Sequence, residues 1–353
     1  MPDETMNALV LHAVGDSRAE RVPRPRPARG EVLVHVAFCG VCGSDIPRVF
    51  VKGTYHFPTI CGHEFAGVVE AGGEDVSDYV PGNRVVVFPL LWCGKCAACE
   101  HGQYVQCSDY DYYGSRRDGG FAEYVAVAPR NLVRVPEGVS LEAASMTEPA
   151  AVSLHALGRA GGSFVGETVA IFGAGPIGLM TAQWARIMGA AAVILFDVVA
   201  EKLAMARRLG FPLAFNSREV DAVRQIETLT AGQGAEVAME AAGVPATMNQ
   251  AIAAARIGGR VVLLGNPSAD VTLPAKLISQ AMRRELAILG TWNSTFSAAG
   301  NKDDWRSVLH AVATGALDLD SLVSHRFSLG QADGGLRMMR DQTEFFAKVL
   351  IQP

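Results

Sequence analysis

The sequence predicts a two-lobed α/β protein, in which a doubly wound parallel sheet is inserted into a β-rich lobe. Three observations predict it. A chain of 353 residues is long for one core, so about two domains are expected. The hydrophobic pattern switches from short alternating strands to strand–helix alternation near residue 153 and back again near 292. Finally, a glycine fingerprint stands where the first parallel strand gives way to a helix. The expected bounds are 1–152 for the β-rich lobe, 153–292 for the α/β lobe and 293–353 for a segment returning to the first.

The elements follow in order. "EVLVHVAF", "EFAGVVEAGG", "NRVVVFP" and "FAEYVAVAP" alternate and are bounded by glycine or proline, which reads as β. "TVAIFG", "AVILFD", "EVAMEA", "RVVLLG" and "LAILGT" read as buried strands. Between them, "IGLMTAQWARIMGA", "AEKLAMARRLG" and "ATMNQAIAAARIGG" carry helical periodicity. Such alternation implies a parallel sheet with helices on both faces, and a cleft is expected between the lobes.

A hydrophobic fraction of 49% with 19% charged residues is that of a soluble globular protein. The net charge of −5 gives no general attraction to nucleic acid or anionic membrane. "RAERVPRPRPARG" carries five arginines, but its prolines make it a solvated connecting loop rather than a phosphate-binding arm. No apolar run approaches ~18 residues, and "MPDETMNALVLHA" lacks a basic start and a long apolar core, so a cytoplasmic location is expected. In that reducing compartment seven cysteines are metal ligands more readily than disulfides.

"TVAIFGAGPIGLM" sets Gly173, Gly175 and Gly178 in G-x-G-x-x-G spacing, with Pro176 and Ile177 opening the helix. The glycines allow a tight turn and close approach of the backbone to a pyrophosphate at the helix N-terminus. Asp197 ends the next strand, 24 residues after Gly173, where an acid binds ribose hydroxyls. With no arginine directly after it to pair with a 2′-phosphate, Asp197 favours NAD over NADP.

Cys93, Cys96, Cys99 and Cys107 have C-x2-C-x2-C-x7-C spacing. Short gaps let the thiolates converge on one tetrahedral zinc, with no open position for a substrate. Chemistry therefore needs another centre. Cys42, His63, Glu64 and Glu148 are the candidates: one thiolate, one imidazole and one carboxylate neutralise Zn²⁺ and leave a position open. Two bound glutamates would leave the centre negative and a weaker Lewis acid, so Glu64 and Glu148 are expected to be inequivalent. Singly, each residue also reads as a buried cysteine, a core histidine or a solvated acid, and spacing alone does not assemble them. Cys39 and Cys61 read as buried small residues before reactive thiols, and His56 either as a loop histidine or as a substrate contact.

"CGSD", "GHEFAG", the cysteine quartet, "DGGFAEY" and "GAGPIG" follow one another in the order of the zinc-containing medium-chain alcohol/polyol dehydrogenases, and the chain resembles that family over essentially its whole length. The resemblance implies a GroES-like catalytic domain and a Rossmann domain. It assigns a catalytic zinc to Cys42, His63 and Glu148, with Glu64 as an alternate or water-mediated ligand. Asp45 falls where a partner orients the zinc histidine, and Ser44 where a hydroxyl relays the alcohol proton. Glu148, in place of a second cysteine, implies the polyol branch.

The expected activity is reversible oxidation of a secondary alcohol on a polyol or polyol phosphate, with NAD and two zinc ions per chain. Plain polyol oxidation is the alternative, and an NAD-binding redox sensor the non-enzymatic one. Arg48, Lys52, Arg116 and Arg117 are candidates for a substrate phosphate, since arginine's planar fork suits an oxyanion. The family implies a homodimer or homotetramer.

Overall fold

The computed structural model describes residues 4–353; residues 1–3, at the start of the expected first lobe, lie outside the described residues. The chain forms two compact units. One takes the residues up to Glu148 with Thr295–Gly315 and Leu319–Pro353; the other takes Pro149–Ser294 and Ala316–Asp318.

The first unit is built on a mixed sheet. Its strands run in the order Leu132–Arg134, Arg84–Val87, Glu64–Gly72, Val32–Gly40, Lys348–Gln352 and Val323–Ser328, and Tyr124–Val127 also pairs with Val32–Gly40. Valines alternate along these strands because a β-branched side chain packs well on a pleated, half-buried surface. Val34, Val36, Phe65, Val85, Val87 and Ile351 point into one core. One register matters for the site: Gly40 lies opposite Glu64 on one side and Leu350 on the other. A second sheet joins Asp16–Pro23, Thr5–Ala13 and Thr59–Ile60.

The second unit holds six parallel strands, ordered Ala214–Asn216, Ala192–Asp197, Thr168–Phe172, Ala235–Glu240, Ala255–Leu263 and Ala287–Gly290. In chain order this is 3-2-1-4-5-6, the doubly wound arrangement whose strand order reverses beside the first strand. Ala170, Phe172, Ile194, Phe196, Ala238 and Val261 fill its core.

Three local expectations change. The arginine-rich run is only half loop: Asp16–Pro23 is a strand paired with Thr5–Ala13, which supplies the backbone partners that a proline-rich stretch lacks by itself. The helix expected through "ATMNQAIAAARIGG" ends at Ala254, and Ala255–Leu263 continues as strand. The short strand Ala214–Asn216 was not expected, because three residues show no periodicity. No helix among the described residues is long and apolar enough to cross a membrane.

Candidate metal and nucleotide sites

The cysteine quartet follows the short strand Leu90–Leu91 and is held by the helical turns Ala97–Glu100 and Tyr104–Gln106. All four Sγ atoms lie within 4.8 Å of one another. Cys96 Sγ is 3.5 Å from that of Cys99 and 3.9 Å from that of Cys107, and Cys93 Sγ is 4.0 Å from that of Cys99. A disulfide needs about 2.05 Å, whereas sulfurs ~2.3 Å from a central zinc sit about 3.8 Å apart. The quartet fits one tetrahedral zinc. Backbone N–H groups of Ser108 and then Cys99 pull the Cys96 thiol down to about 6, which favours the thiolate a metal needs. Trp92 stacks on Tyr104 at 4.2 Å and under the Arg130 guanidinium at 4.3 Å, packing the lobe beside the sulfurs.

A second cluster lies where the chain turns after the strand Val32–Gly40. The ligand atoms of Cys42, His63 and Glu64 fall within 4.8 Å of one another. The turn is fixed by Asp45, which is fully buried and whose Oδ2 accepts the Cys42 N–H at 3.0 Å. Asp45 Oδ1 faces His63 Nδ1 at 3.5 Å and also pairs with the Arg48 guanidinium. His63 Nδ1 is buried and makes no hydrogen bond of good geometry, so the ring is steered by charge. Burial opposes ionisation of Asp45, but His63 and then Arg48 outweigh it and hold the carboxyl at about 2. Burial likewise opposes a charge on His63, and Asp45 and Cys42 overturn it, raising that group well above its ordinary value. A soft thiolate, an imidazole and a carboxylate form the donor set of a zinc centre with room for a further ligand.

Glu148, in the first turn of the helix Thr147–Arg159, is buried but its carboxylate is not among the three clustered ligand atoms. Burial pushes it up to about 7; His63 opposes that rise and Glu64 adds to it. The two glutamates therefore differ in placement. Ser44 is exposed, two residues from Cys42. Sequence reasoning missed two neighbours. Tyr112 packs its ring 5.8 Å from that of His63. Lys348 is buried, pairs with Glu64 Oε2 and donates to the Val41 carbonyl at 3.1 Å. Its signal was present in "AKVLIQ", a lone lysine in an apolar strand.

The arginines separate sharply. Arg48 spends its charge on Asp45 and Arg117 on Asp111, which removes the positive charge an anion would seek from either. Asp118 accepts the Ile60 N–H at 2.9 Å. Arg116 instead lies between two aromatic faces, 4.0 Å from the Tyr55 ring centroid and 4.6 Å from that of Tyr110. His56 holds the Arg116 carbonyl within 3.0 Å of its Nε2.

In the second unit the three glycines have three different reasons. Gly173 adopts φ +107°, which side chains disfavour, and a Cβ there would meet the Ala242 backbone at 2.9 Å. At Gly178 a Cβ would overlap the Gly173 carbonyl, so only glycine lets the helix Pro176–Ile187 pack so closely on the turn. Gly175 has open space where its Cβ would be, as a backbone that approaches a pyrophosphate requires. Asp197 braces the same turn: its carboxylate accepts N–H groups of Ala174 at 2.8 Å, Val198 at 2.7 Å and Val199 at 3.0 Å. Lys202 Nζ lies 3.8 Å away. The geometry fits a dinucleotide.

Comparison with known proteins gives the family. Residues 28–137 match the alcohol dehydrogenase GroES-like domain, and residues 176–314 match the zinc-binding dehydrogenase domain. Over 325 residues the chain is 36% identical to galactitol 1-phosphate 5-dehydrogenase of Escherichia coli (strain K12), covering 92% of each protein. The crystal structure of galactitol-1-phosphate dehydrogenase from Escherichia coli superposes with a TM-score of 0.92 at 35% identity, over 99% of this chain and 100% of that one. A structure from Sinorhizobium meliloti 1021, described as a zinc-binding dehydrogenase and bound to NADP, gives 0.90 at 33% identity, over 99% and 100%. By sequence over nearly its whole length, the chain belongs to the zinc-binding alcohol dehydrogenase family, GroES-like in its first unit and Rossmann-like in its second.

Proposed function

We propose that this dehydrogenase reversibly oxidises a secondary alcohol of a polyol phosphate, with NAD as hydride acceptor. The observation that carries the reading is the presence of two unlike metal-ligand clusters in one unit. The quartet Cys93, Cys96, Cys99 and Cys107 is closed and structural. Cys42, His63 and one glutamate form the catalytic centre, with Glu64 and Glu148 exchanging as the carboxylate ligand.

When bound, zinc supplies the Lewis acidity that eases deprotonation of the alcohol, and the nicotinamide supplies the hydride acceptor. The chain's own residues do the rest. Asp45 holds the His63 ring by charge and the Cys42 turn by a hydrogen bond. The Ser44 hydroxyl, exposed beside Cys42, takes the alcohol proton at Oγ and hands it to water. Arg116, pinned between Tyr55 and Tyr110 with no carboxylate among the described residues spending its charge, receives the substrate's phosphate. In the second unit Gly173, Gly175, Pro176, Ile177 and Gly178 cradle the pyrophosphate, and Asp197 binds the ribose.

Cysteines gathered as metal ligands rather than as disulfides support a reducing, cytoplasmic setting. The edge strand Ala287–Gly290, flanked by exposed Ile257, Met282 and Trp292, supports a homodimer paired through that edge.

Zinc analysis of the purified protein and of Cys42→Ser, with NAD reduction over a panel of free and phosphorylated polyols, tests the reading. The expected result is two zinc ions per chain falling to one, with turnover lost and the fold kept. A Cys42→Ser protein that retains both ions and full activity overturns it, and a protein that turns over no polyol is left with the redox-sensor role.

A further inference from the structure

Glu240 ends the fourth strand of the second unit, and none of the roles above uses it. Its side chain is fully buried, with Phe172 beside it in one neighbouring strand and Leu263 in the other. Glu240 Oε1 accepts the N–H groups of Ala242 at 3.0 Å and Gly243 at 2.9 Å, and the Thr247 hydroxyl at 2.7 Å. Oε2 shares the Gly243 N–H at 3.2 Å. All three donors are neutral. A buried carboxylate without a cation is costly, and here hydrogen bonds from a single turn offset that cost.

Successive backbone N–H groups that converge on one point form an anion nest of the kind that holds phosphates. The first half of the sheet follows the same plan. There Thr168–Phe172 leads through Gly173 and Gly175 into a helix that opens at Pro176. Here Ala235–Glu240 leads through Gly243 into a helix that opens at Pro245. The first turn keeps open space at Gly175, whereas the chain fills the second with its own carboxylate.

The two turns touch. A Cβ on Gly173 would meet the Ala242 nitrogen at 2.9 Å and the Ala241 carbonyl carbon at 3.0 Å, so Ala241 and Ala242 form the wall behind the nucleotide turn. That wall has its own backing. A Cβ at Gly265 would lie 2.6 Å from Glu240 Oε2 and overlap the Gly243 nitrogen, and one at Gly243, where φ is +68°, would overlap the Asn266 carbonyl. The Glu240 carbonyl also accepts the N–H groups of Leu264 at 2.9 Å and Gly265 at 2.8 Å. One residue thus fastens the turns after the fourth and fifth strands, and the former lies against the turn after the first.

We propose that Glu240 is a positioning residue for the nucleotide. Standing in for a phosphate, it holds Ala241–Gly243 in the form that keeps the Gly173 turn ready before NAD arrives. The inference rests on the reading of Gly173–Gly178 as the pyrophosphate turn. Glu240 acts through the backbone and does not touch the cofactor.

The test uses the full chain with its zinc, and measures NAD affinity by fluorescence titration and amide hydrogen exchange over 173–178 with and without NAD. Glu240→Ala is expected to bind NAD about three- to tenfold more weakly, because the ligand must then order the turn itself. Without NAD its 173–178 segment should exchange faster than in the unaltered protein, and saturating NAD should remove most of that difference. The loss should fall on KM for NAD rather than on kcat. If Glu240→Ala does not fold, Thr247→Val, which removes one donor to Oε1, is expected to give the same pattern with about a twofold loss. Unchanged NAD affinity, with faster exchange confined to 240–248, would leave Glu240 with local stability alone and overturn the proposal. Gly175→Val in the same titration separates the two levels. If it binds NAD normally, the reading of the glycine turn fails; if it loses NAD while Glu240→Ala keeps it, only the role of Glu240 fails.

Discussion

Replacing Arg116 by alanine removes a cationic fork that no carboxylate among the described residues neutralises. The structure sets the size of the effect. Two ring faces at 4.0 and 4.6 Å each hold the guanidinium by about 0.5–1 kcal/mol at an exposed site, so little of arginine's rotamer freedom is left to lose on binding an anion. A charge-assisted contact to a phosphate is worth about 1.5–3 kcal/mol, or roughly ten- to a hundredfold in an equilibrium or specificity constant. In Arg116→Ala, kcat/KM for a polyol phosphate is therefore expected to fall by that factor, and for the free polyol by less than about twofold. Tyr110→Ala, which opens one side of the clamp, should cost about two- to fivefold with the phosphate alone. Arg117→Ala is the comparison, because Asp111 already spends its charge, and it should hardly discriminate between the substrates. The assay is initial-rate NAD reduction with matched free and phosphorylated polyols. Equal losses on both substrates, or a larger effect at Arg117, would refute the reasoning and leave Arg116 a fold element.

Three further outcomes are expected. Asp197→Asn should weaken NAD about tenfold and narrow the gap to NADP, read by fluorescence titration, because it removes a ribose partner and a repulsive charge together; tighter binding of NADP than NAD by the unaltered protein would contradict that role. Cys96→Ser should lower the melting temperature by on the order of 5 °C or more and lose one zinc, whereas Cys42→Ser loses one zinc with little thermal change. Ile288→Lys on the edge strand should yield a monomer by light scattering if two copies pair there, and no change in mass would sink that assembly.

Much of this was legible in the sequence, and the reasons are physical. Local patterns survive translation into structure: four buried strands of the second unit, the glycine turn and the thiolate quartet are each set by residues close together in the chain, whereas "LAILGT", expected to be buried, forms the exposed edge strand Ala287–Gly290, since position in the sheet is not written in a strand's own pattern. What depends on distant residues was not legible. Lys348 meets Glu64 across 284 positions, and no periodicity links them. Arg48, Arg116 and Arg117 look alike as letters, yet Asp45, Asp111 and two tyrosines give them three different fates. The strand Ala214–Asn216 is defined by its neighbour in the sheet rather than by its own composition.

The placement of Lys348 on a strand so far along the chain has a consequence for timing. At about 5–20 residues per second of synthesis, the 284 positions between Glu64 and Lys348 take on the order of 15–60 s to make. Throughout that interval Cys42, His63 and Glu64 exist without the lysine, and the sheet lacks the strand that would lie beside Val32–Gly40. The second unit, by contrast, draws all six of its strands from one continuous stretch, Pro149–Ser294. Its glycine turn, Gly173 to Gly178, can close before the strand Lys348–Gln352 has been made, whereas the sheet beside Cys42, His63 and Glu64 is completed only by the last residues of the chain.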